Sequence, residues 1–263
     1  MGTNAIHQDA PLLADRARNA VLEALRVLSA SKARDGRVLL EEGRDIKLEA
    51  DLLLSRELTS RLTGATGIRC VSEEDLESHG IPETEPIWIV DPLDGSMNFA
   101  RGLPLYGVSV ALWQNGGPSI GLIHDMERHR TLCAWNGRSW AGETALTIGT
   151  VKAMDRAVLA TGFPLMMDTS SNEVTAFLAF ARRFKKVRML GTAALSMAWV
   201  AEGRLDAYFE RDIMVWDVAA GVALVRGAGG TCIMRPGSHT MSLDVVAANP
   251  ELTAAMQRVL GWR

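Results

Sequence analysis

The chain has 263 residues, 28 Lys plus Arg against 31 Asp plus Glu for a formal charge of −3, and is 48% apolar and 22% charged. This is the balance of an ordinary globular protein, long enough to bury a core without disulfides or a structural metal. It has no global field for wrapping nucleic acid or coating an anionic membrane, so neither is expected as a partner. The three cysteines, Cys70, Cys133 and Cys232, are odd in number and far apart, which excludes a disulfide framework and a paired-cysteine zinc site. The opening MGTNAIHQDAPLLADRAR lacks the apolar run of a secretory signal, and no stretch reaches the roughly 20 apolar residues that cross a bilayer. A cytoplasmic protein is the expectation.

Leu12, Leu13, Ala17, Ala20, Val21, Ala24, Leu25 and Leu28 recur at three- and four-residue spacings and predict an amphipathic helix over 9–30. Gly36 interrupts, and a second helix runs from about Ala50 to Leu62, ending in the GATG at 64–67. Short β-like runs follow: IRCVS, IWIVD, YGVSVALW, SIGLIHD and TLCAW, separated by NGGP and NG turns, which predict antiparallel hairpins. Beyond residue 145 the pattern alternates. VLATGF reads as a strand, 172–184 and 193–202 as helices, LDAYF as a strand, 217–228 as a helix, TCIM and DVVAAN as strands, and 250–260 as a helix. There is no repeat or linker, so the chain reads as a single α+β unit with two lobes sharing one core, about 1–145 and 146–263.

Charge is spread unevenly. Glu73, Glu74, Asp75, Glu77, Glu83, Glu85, Asp91 and Asp94 fall between Cys70 and Ala100 without one Lys or Arg. Such a stretch repels itself unless a cation sits in it. Glu77, Glu83 and Glu85 read as solvated surface acids. Asp91 is different: the apolar run IWIV leads straight into it, and a buried carboxylate is costly without compensation. Pro92 and Gly95 bend the chain, so that Asp91, the Leu93 carbonyl and Asp94 can converge on one point. Hard oxygen ligands with net negative charge suit Mg²⁺ or Mn²⁺ rather than zinc. Gly95 and Ser96 follow at a helix start, where free amides and a hydroxyl can accept a phosphate. Glu73 sits at the end of the preceding strand, and its carboxylate meets Asp91 if the two strands are neighbours. Asp217 opens a later helix and by itself is either a cap or a further ligand. The basic run RRFKKVR at 182–188 either steers anions or is a solvated helix end favoured by the helix dipole, the second being the ordinary reading.

Four strings together resemble the inositol monophosphatase family of Mg²⁺-dependent, lithium-sensitive phosphatases: SEED at 72–75, DPLDGSMNF at 91–99, GTAALSMAWVAEGRLDAYFE at 191–210 and WDVAAGVALVRGAGG at 216–230. Order and spacing hold over about 47–235. The resemblance implies the layered αβαβα sandwich of the inositol monophosphatase and fructose-1,6-bisphosphatase type, a homodimer, and hydrolysis of a small phosphorylated polyol or sugar. It implies that Glu73, Asp91, the Leu93 carbonyl, Asp94 and Asp217 hold two or three Mg²⁺ ions. Glu73 and Ser96 would assist the attacking water, and Asp51 would support it. Asp94, Gly95 and Ser96 would bind the phosphate end, while Gly191, Thr192, Ala193 and Glu210 would line the alcohol pocket. Loops around Gly162, Phe163 and Pro164 would shape the remainder. No histidine base is required, and His7, His79, His124, His129 and His239 are unassigned.

Inositol monophosphate is the first substrate implied. A 3′(2′),5′-bisphosphate nucleotidase, a fructose-1,6-bisphosphatase and a histidinol-phosphate phosphatase are alternatives of the same chemistry, and a non-catalytic metal or sugar-phosphate binder is one of a different kind. Two departures from the family pattern stand out: Ser96 replaces a threonine, and Gly227 replaces the glutamate of EAGG. A third lies upstream, where Glu49 in LEAD takes the place of a common threonine.

Overall fold

The computed structural model describes residues 3–42, 45–75, 85–163 and 172–262. The N-terminal helix α1 (Thr3–Ala30) buries Leu13, Ala17, Ala20, Val21, Ala24 and Leu28 on one stripe. Leu12, one step off that stripe, is half exposed, contrary to the sequence reading. A small antiparallel hairpin follows, β1 (Val38–Glu42) and β2 (Asp45–Leu48), which the sequence did not reveal because Val38, Leu39 and Leu40 are consecutive rather than alternating, and all three are exposed. Helix α2 (Glu49–Thr66) starts with the Asp51 carboxylate accepting the Leu48 amide at 2.6 Å, which satisfies an orphan donor of the first turn, and ends at Gly67 in the left-handed conformation.

The larger sheet has seven strands, β3 (Cys70–Ser72), β4 (Ile87–Asp94), β5 (Gly107–Gln114), β6 (Gly117–Asp125), β7 (Arg130–Trp135), β8 (Arg138–Ala141) and β9 (Thr144–Ala145), in sequence order. β3 runs parallel to β4 and the rest are antiparallel, with the short helix α3 (Ser96–Ala100) inserted between β4 and β5. Alternation along β4 sends Trp88 and Val90 to the α1/α2 side and Ile87 and Ile89 to the opposite face.

The second half contributes β10 (Val158–Thr161), α4 (Asn172–Ala181), β11 (Lys186–Arg188), α5 (Ala193–Ala201), β12 (Ala207–Met214), α6 (Val215–Gly227), β13 (Thr231–Pro236), β14 (Ser242–Ala248) and α7 (Pro250–Leu260). Its five strands lie in the order β11-β10-β12-β14-β13. Helices α5 and α6, apolar nearly all round, fill the space between the two sheets. Phe177 and Phe180 of α4 and Leu252 and Met256 of α7 cover the outer face of the second sheet. The layers therefore run αβαβα, and the class is α+β.

Some sequence boundaries move. α4 ends at Ala181, three residues early, and the basic run continues into the edge strand β11, so it is not simply a helix end. α6 begins at Val215 with Met214 as its cap, which places Asp217 inside the first turn rather than at the capping position. Gly227 gains a physical reason: a Cβ there would lie 2.6 Å from the Arg138 carbonyl carbon and 2.8 Å from its oxygen, so β8 packs backbone to backbone on α6 where a glutamate has no room. Among the described residues no helix is long and apolar enough to cross a membrane, and the three cysteines form no disulfide.

Candidate metal and phosphate site

Strand pairing brings the acidic motifs together. β3 aligns Ser72 with Val90, so the 3-10 turn Glu73–Asp75 leaves the sheet beside Asp91. Asp91 pairs with Ser109 and Asp94 with Gly107, three residues against two, which is a one-residue bulge. In a regular strand residues three apart face opposite sides; the extra residue corrects that parity and lets both aspartates serve one site. Gly95 then turns the chain with φ of +89° into α3, and a Cβ on it would meet the Leu105 carbonyl oxygen at 2.7 Å. Asp217 arrives from the first turn of α6, which is tied to β5 by the Ser109 hydroxyl donating to the Trp216 carbonyl at 2.9 Å.

Asp91, Asp94 and Asp217 each place a carboxylate oxygen within 4.8 Å of the others, a cluster that can hold a metal ion. Burial drives Asp91 well above the usual carboxylate range, and the charges of Glu73, Asp94 and Asp217 add to it against the Leu93 amide. Asp217 is raised by burial and then by Glu73 and Asp94. Asp94 is raised by burial to about 6, less than burial alone would give, because the start of α5 donates to it. The Thr192 hydroxyl donates to Oδ2, the Ala194 amide to Oδ2 at 2.8 Å and the Ala193 amide to Oδ1 at 3.3 Å.

The surrounding groups are braced. The Ser96 hydroxyl sits 3.1 Å from Asp51 Oδ1 and 2.8 Å from the Leu93 carbonyl oxygen, with one proton to share between them. Asp51 itself is anchored by the Leu48 amide and lies behind Ser96 rather than on the cleft wall. Tyr208 donates to Glu210 at 2.8 Å, yet burial still lifts Glu210 to about 7. Lys47 pairs with Glu74 rather than with the cluster.

The cleft encloses 280 Å³. Glu73, Asp91, Leu93, Asp94, Gly95, Ser96, Gly191, Thr192, Ala193, Glu210 and Asp217 all border it. Five of these are carboxylates, and no Lys, Arg or His stands among the described lining residues. Glu85 is exposed, whereas Glu77, His79, Glu83 and Pro164 lie outside the described residues, as does the side chain of Asp75. His124 is buried with Nδ1 against the Thr131 hydroxyl at 2.8 Å, a core histidine.

Sequence reasoning passed over three contributors. Asn98 spans from α3 to the GTAA loop, its side-chain amide reaching the Leu105 and Leu190 carbonyls at 2.8 Å each. Tyr208 stands two residues before Glu210, a spacing that puts both on one face of a strand. Ser109 reads in sequence as a polar gap in an apolar strand, and a buried hydroxyl there calls for a partner.

The model of the inositol monophosphatase family matches residues 8–260. A "Nus factor SuhB" of Xylella fastidiosa is 36% identical over 184 residues, 66% of this chain and 67% of that one. Among solved structures, an inositol monophosphatase from Anabaena superposes with a TM-score of 0.80 at 26% identity, covering 96% of each chain. The extragenic suppressor protein suhB of Bartonella henselae gives 0.78 at 28% identity, covering 93% of this chain and 98% of that one.

Proposed function

This chain belongs to the inositol monophosphatase family, and from that premise we propose that it hydrolyses a small phosphate monoester with Mg²⁺, inositol monophosphate or a related polyol or sugar phosphate first. The observation that carries this reading is a cleft with five carboxylates and no basic side chain among its described lining residues. An anionic ester would be repelled by such a wall, so the acids make sense as a cation site that the phosphate then joins. The donors fit the ion: all are hard oxygens, they are buried or half-buried, and three converge.

Asp91, Asp94 and Asp217, with Glu73 and the Leu93 carbonyl, would hold the ions. Bound Mg²⁺ supplies Lewis acidity and charge neutralisation for displacement at phosphorus. Residues 1–145 would provide the metal and phosphate groups, and 146–263 the alcohol pocket and the last aspartate. Ser96, held by Asp51, and Glu73 would assist the attacking water. The Gly95 and Ser96 amides would receive phosphoryl oxygens. Glu210, oriented by Tyr208, would accept a hydroxyl of the alcohol, with Gly191, Thr192 and Ala193 as the facing wall.

The name "Nus factor" carried by relatives raises the alternative of a chain that binds ligand without turnover. Retention of the full acid set favours turnover, since clustered buried acids are costly unless used. Purified protein with Mg²⁺ should release phosphate from inositol 1-phosphate, fructose 1,6-bisphosphate, adenosine 3′,5′-bisphosphate or histidinol phosphate, the ratio of rates naming the substrate. Chelation or Asp94→Asn should abolish the release. Tight ligand binding in excess Mg²⁺ with no phosphate released from any ester would favour the binding protein.

A further inference from the structure

Of the five carboxylates that border the acidic cleft, four serve as cation ligands in the reading above and one does not. Bound cations take up the charge of Glu73, Asp91, Asp94 and Asp217, and Glu210 is left over on the wall given to the alcohol. Strand β12 sets it there, two residues beyond Tyr208 and on the same face. Gly162, just past the end of β10, leaves it room, since a Cβ there would sit 2.8 Å from Glu210 Cδ. Glu210 is half-buried and borders the cleft, so a ligand can reach it.

The two oxygens of Glu210 are unequally served. Oε2 accepts from the Tyr208 hydroxyl at 2.8 Å, and burial among acids holds Tyr208 in its protonated form, so it stays a donor. Oε1 accepts no hydrogen bond among the described residues. Asp94, by contrast, has the Thr192 hydroxyl and the Ala193 and Ala194 amides. No Lys, Arg or His stands among the described residues of the cleft wall, and the charge felt at Glu210 is the repulsive one of Asp94. One neutral donor does not balance this: with Tyr208 in place, burial and Asp94 still lift Glu210 to about 7. A further hydroxyl would add a hydrogen bond and no charge. A cation adds both, and charge-assisted bonds to a carboxylate are roughly twice as strong as neutral ones.

We propose that the alcohol part of the preferred substrate carries a protonated amine held by Glu210, so that the substrate class is the phosphate monoester of an amino sugar or amino alcohol. The inference rests on the phosphatase reading of the same cleft. The ammonium takes the place of a hydroxyl at Glu210 and donates to Oε1, while Tyr208 keeps Oε2. Ile213 and Met214, further along β12, give the wall apolar surface for the carbon skeleton. A cleft of 280 Å³ lies at the small end of ligand sites and suits a phosphate with one ring or a short chain. Bisphosphates are turned away, because a second phosphate would meet Glu210 with no basic side chain among the described wall residues to hold it.

Matched esters isolate the charge. Glucosamine 6-phosphate is compared with glucose 6-phosphate, and phosphoethanolamine with 2-hydroxyethyl phosphate, in Mg²⁺ at pH 7 on the wild type and Glu210→Gln. At least one amine ester should show kcat/KM tenfold or more above its hydroxyl partner. That ratio should fall to near one in Glu210→Gln, which keeps the size of the side chain without its charge. N-Acetylglucosamine 6-phosphate, which has the same skeleton and no cation, should react with the wild type no faster than glucose 6-phosphate, a readout that stands even if the variant does not fold. Wild-type ratios below tenfold for both pairs overturn the proposal, as does a ratio that persists in Glu210→Gln or an N-acetyl ester as fast as the free amine. If the wild type hydrolyses none of the five esters, it is the phosphatase reading that fails, and calorimetric titration of the same esters in Mg²⁺ decides the role of Glu210. Tenfold tighter binding of an amine ester than of its hydroxyl partner, lost in Glu210→Gln, sustains it; a smaller difference or no binding overturns it.

Discussion

Asp212 and Asp217 lie five residues apart on the passage from β12 into α6, and they live under opposite conditions. Asp212, at φ of +52°, accepts from the Ser238 amide and from the Ser242 hydroxyl at 3.2 Å. Although burial pulls its carboxyl up, these donors hold it below the usual range. Asp217 faces Glu73 and Asp94, and burial with those charges drives it far above, against a hydrogen bond with Asp91 that pulls the other way. An acid surrounded by donors is part of the architecture; an acid surrounded by acids awaits a cation. Asp94 stands between, supported by the start of α5 yet still lifted to about 6.

The sharpest way to break that contrast is to neutralise each partner in turn. Asp217→Asn should lower phosphate release by on the order of 10²- to 10³-fold while raising the thermal midpoint of the metal-free protein, because a repulsive charge is gone. Asp212→Asn should leave release within a factor of about two and lower the midpoint by about 2–4 °C, the loss of roughly 1 kcal/mol of hydrogen bonding. Equal losses of activity in the two variants would erase the distinction.

Proton linkage gives a second test. Raised carboxyls favour the protonated form in the fold, so without metal their contribution to stability is present at low pH and is lost as pH rises through about 6 for Asp94 and about 7 for Glu210. Mg²⁺ requires the ionised form. Its stabilisation, followed by thermal melts, should therefore be small at pH 5 and grow to several degrees by pH 8, with the growth lost in Asp217→Asn.

A weaker effect belongs to Asp51, which reaches the cleft through Ser96. Asp51→Asn should cost activity about 10- to 100-fold, the usual range for a group that orients a site residue, visible in kcat more than in KM. Least of all for catalysis, Gly227→Glu, which restores the residue implied by the family pattern, should destabilise by about 1–3 kcal/mol through the clash with Arg138 and leave the activity of the folded fraction unchanged. Full stability of that variant would mean that β8 can move away from α6 at little cost.

Much of this was legible in the sequence because strand alternation and helix stripes reflect burial directly. β4, β5, β6, α5 and α6 followed from apolar runs, and the DPLDGS string announced its own turn. What escaped was set by long-range pairing. The bulge that aligns Asp91 with Asp94 exists only against β5, and the bond from Ser109 to Trp216 joins residues 107 positions apart. The donors on Asp94 come from α5, nearly 100 residues away, so nothing local foretold that this aspartate would be better supported than its neighbours. The β1/β2 hairpin was hidden because the apolar residues of its first strand, Val38, Leu39 and Leu40, are consecutive and exposed.

The most direct test of the central claim is the rate of inorganic phosphate release from inositol 1-phosphate and the sugar esters as Mg²⁺ is titrated into metal-free protein at pH 8, beside Asp217→Asn. The account predicts saturable activation from a baseline near zero, with the variant unresponsive. Release that proceeds equally in chelator, or a wild type that takes up Mg²⁺ at the aspartates and releases phosphate from no ester, would contradict it.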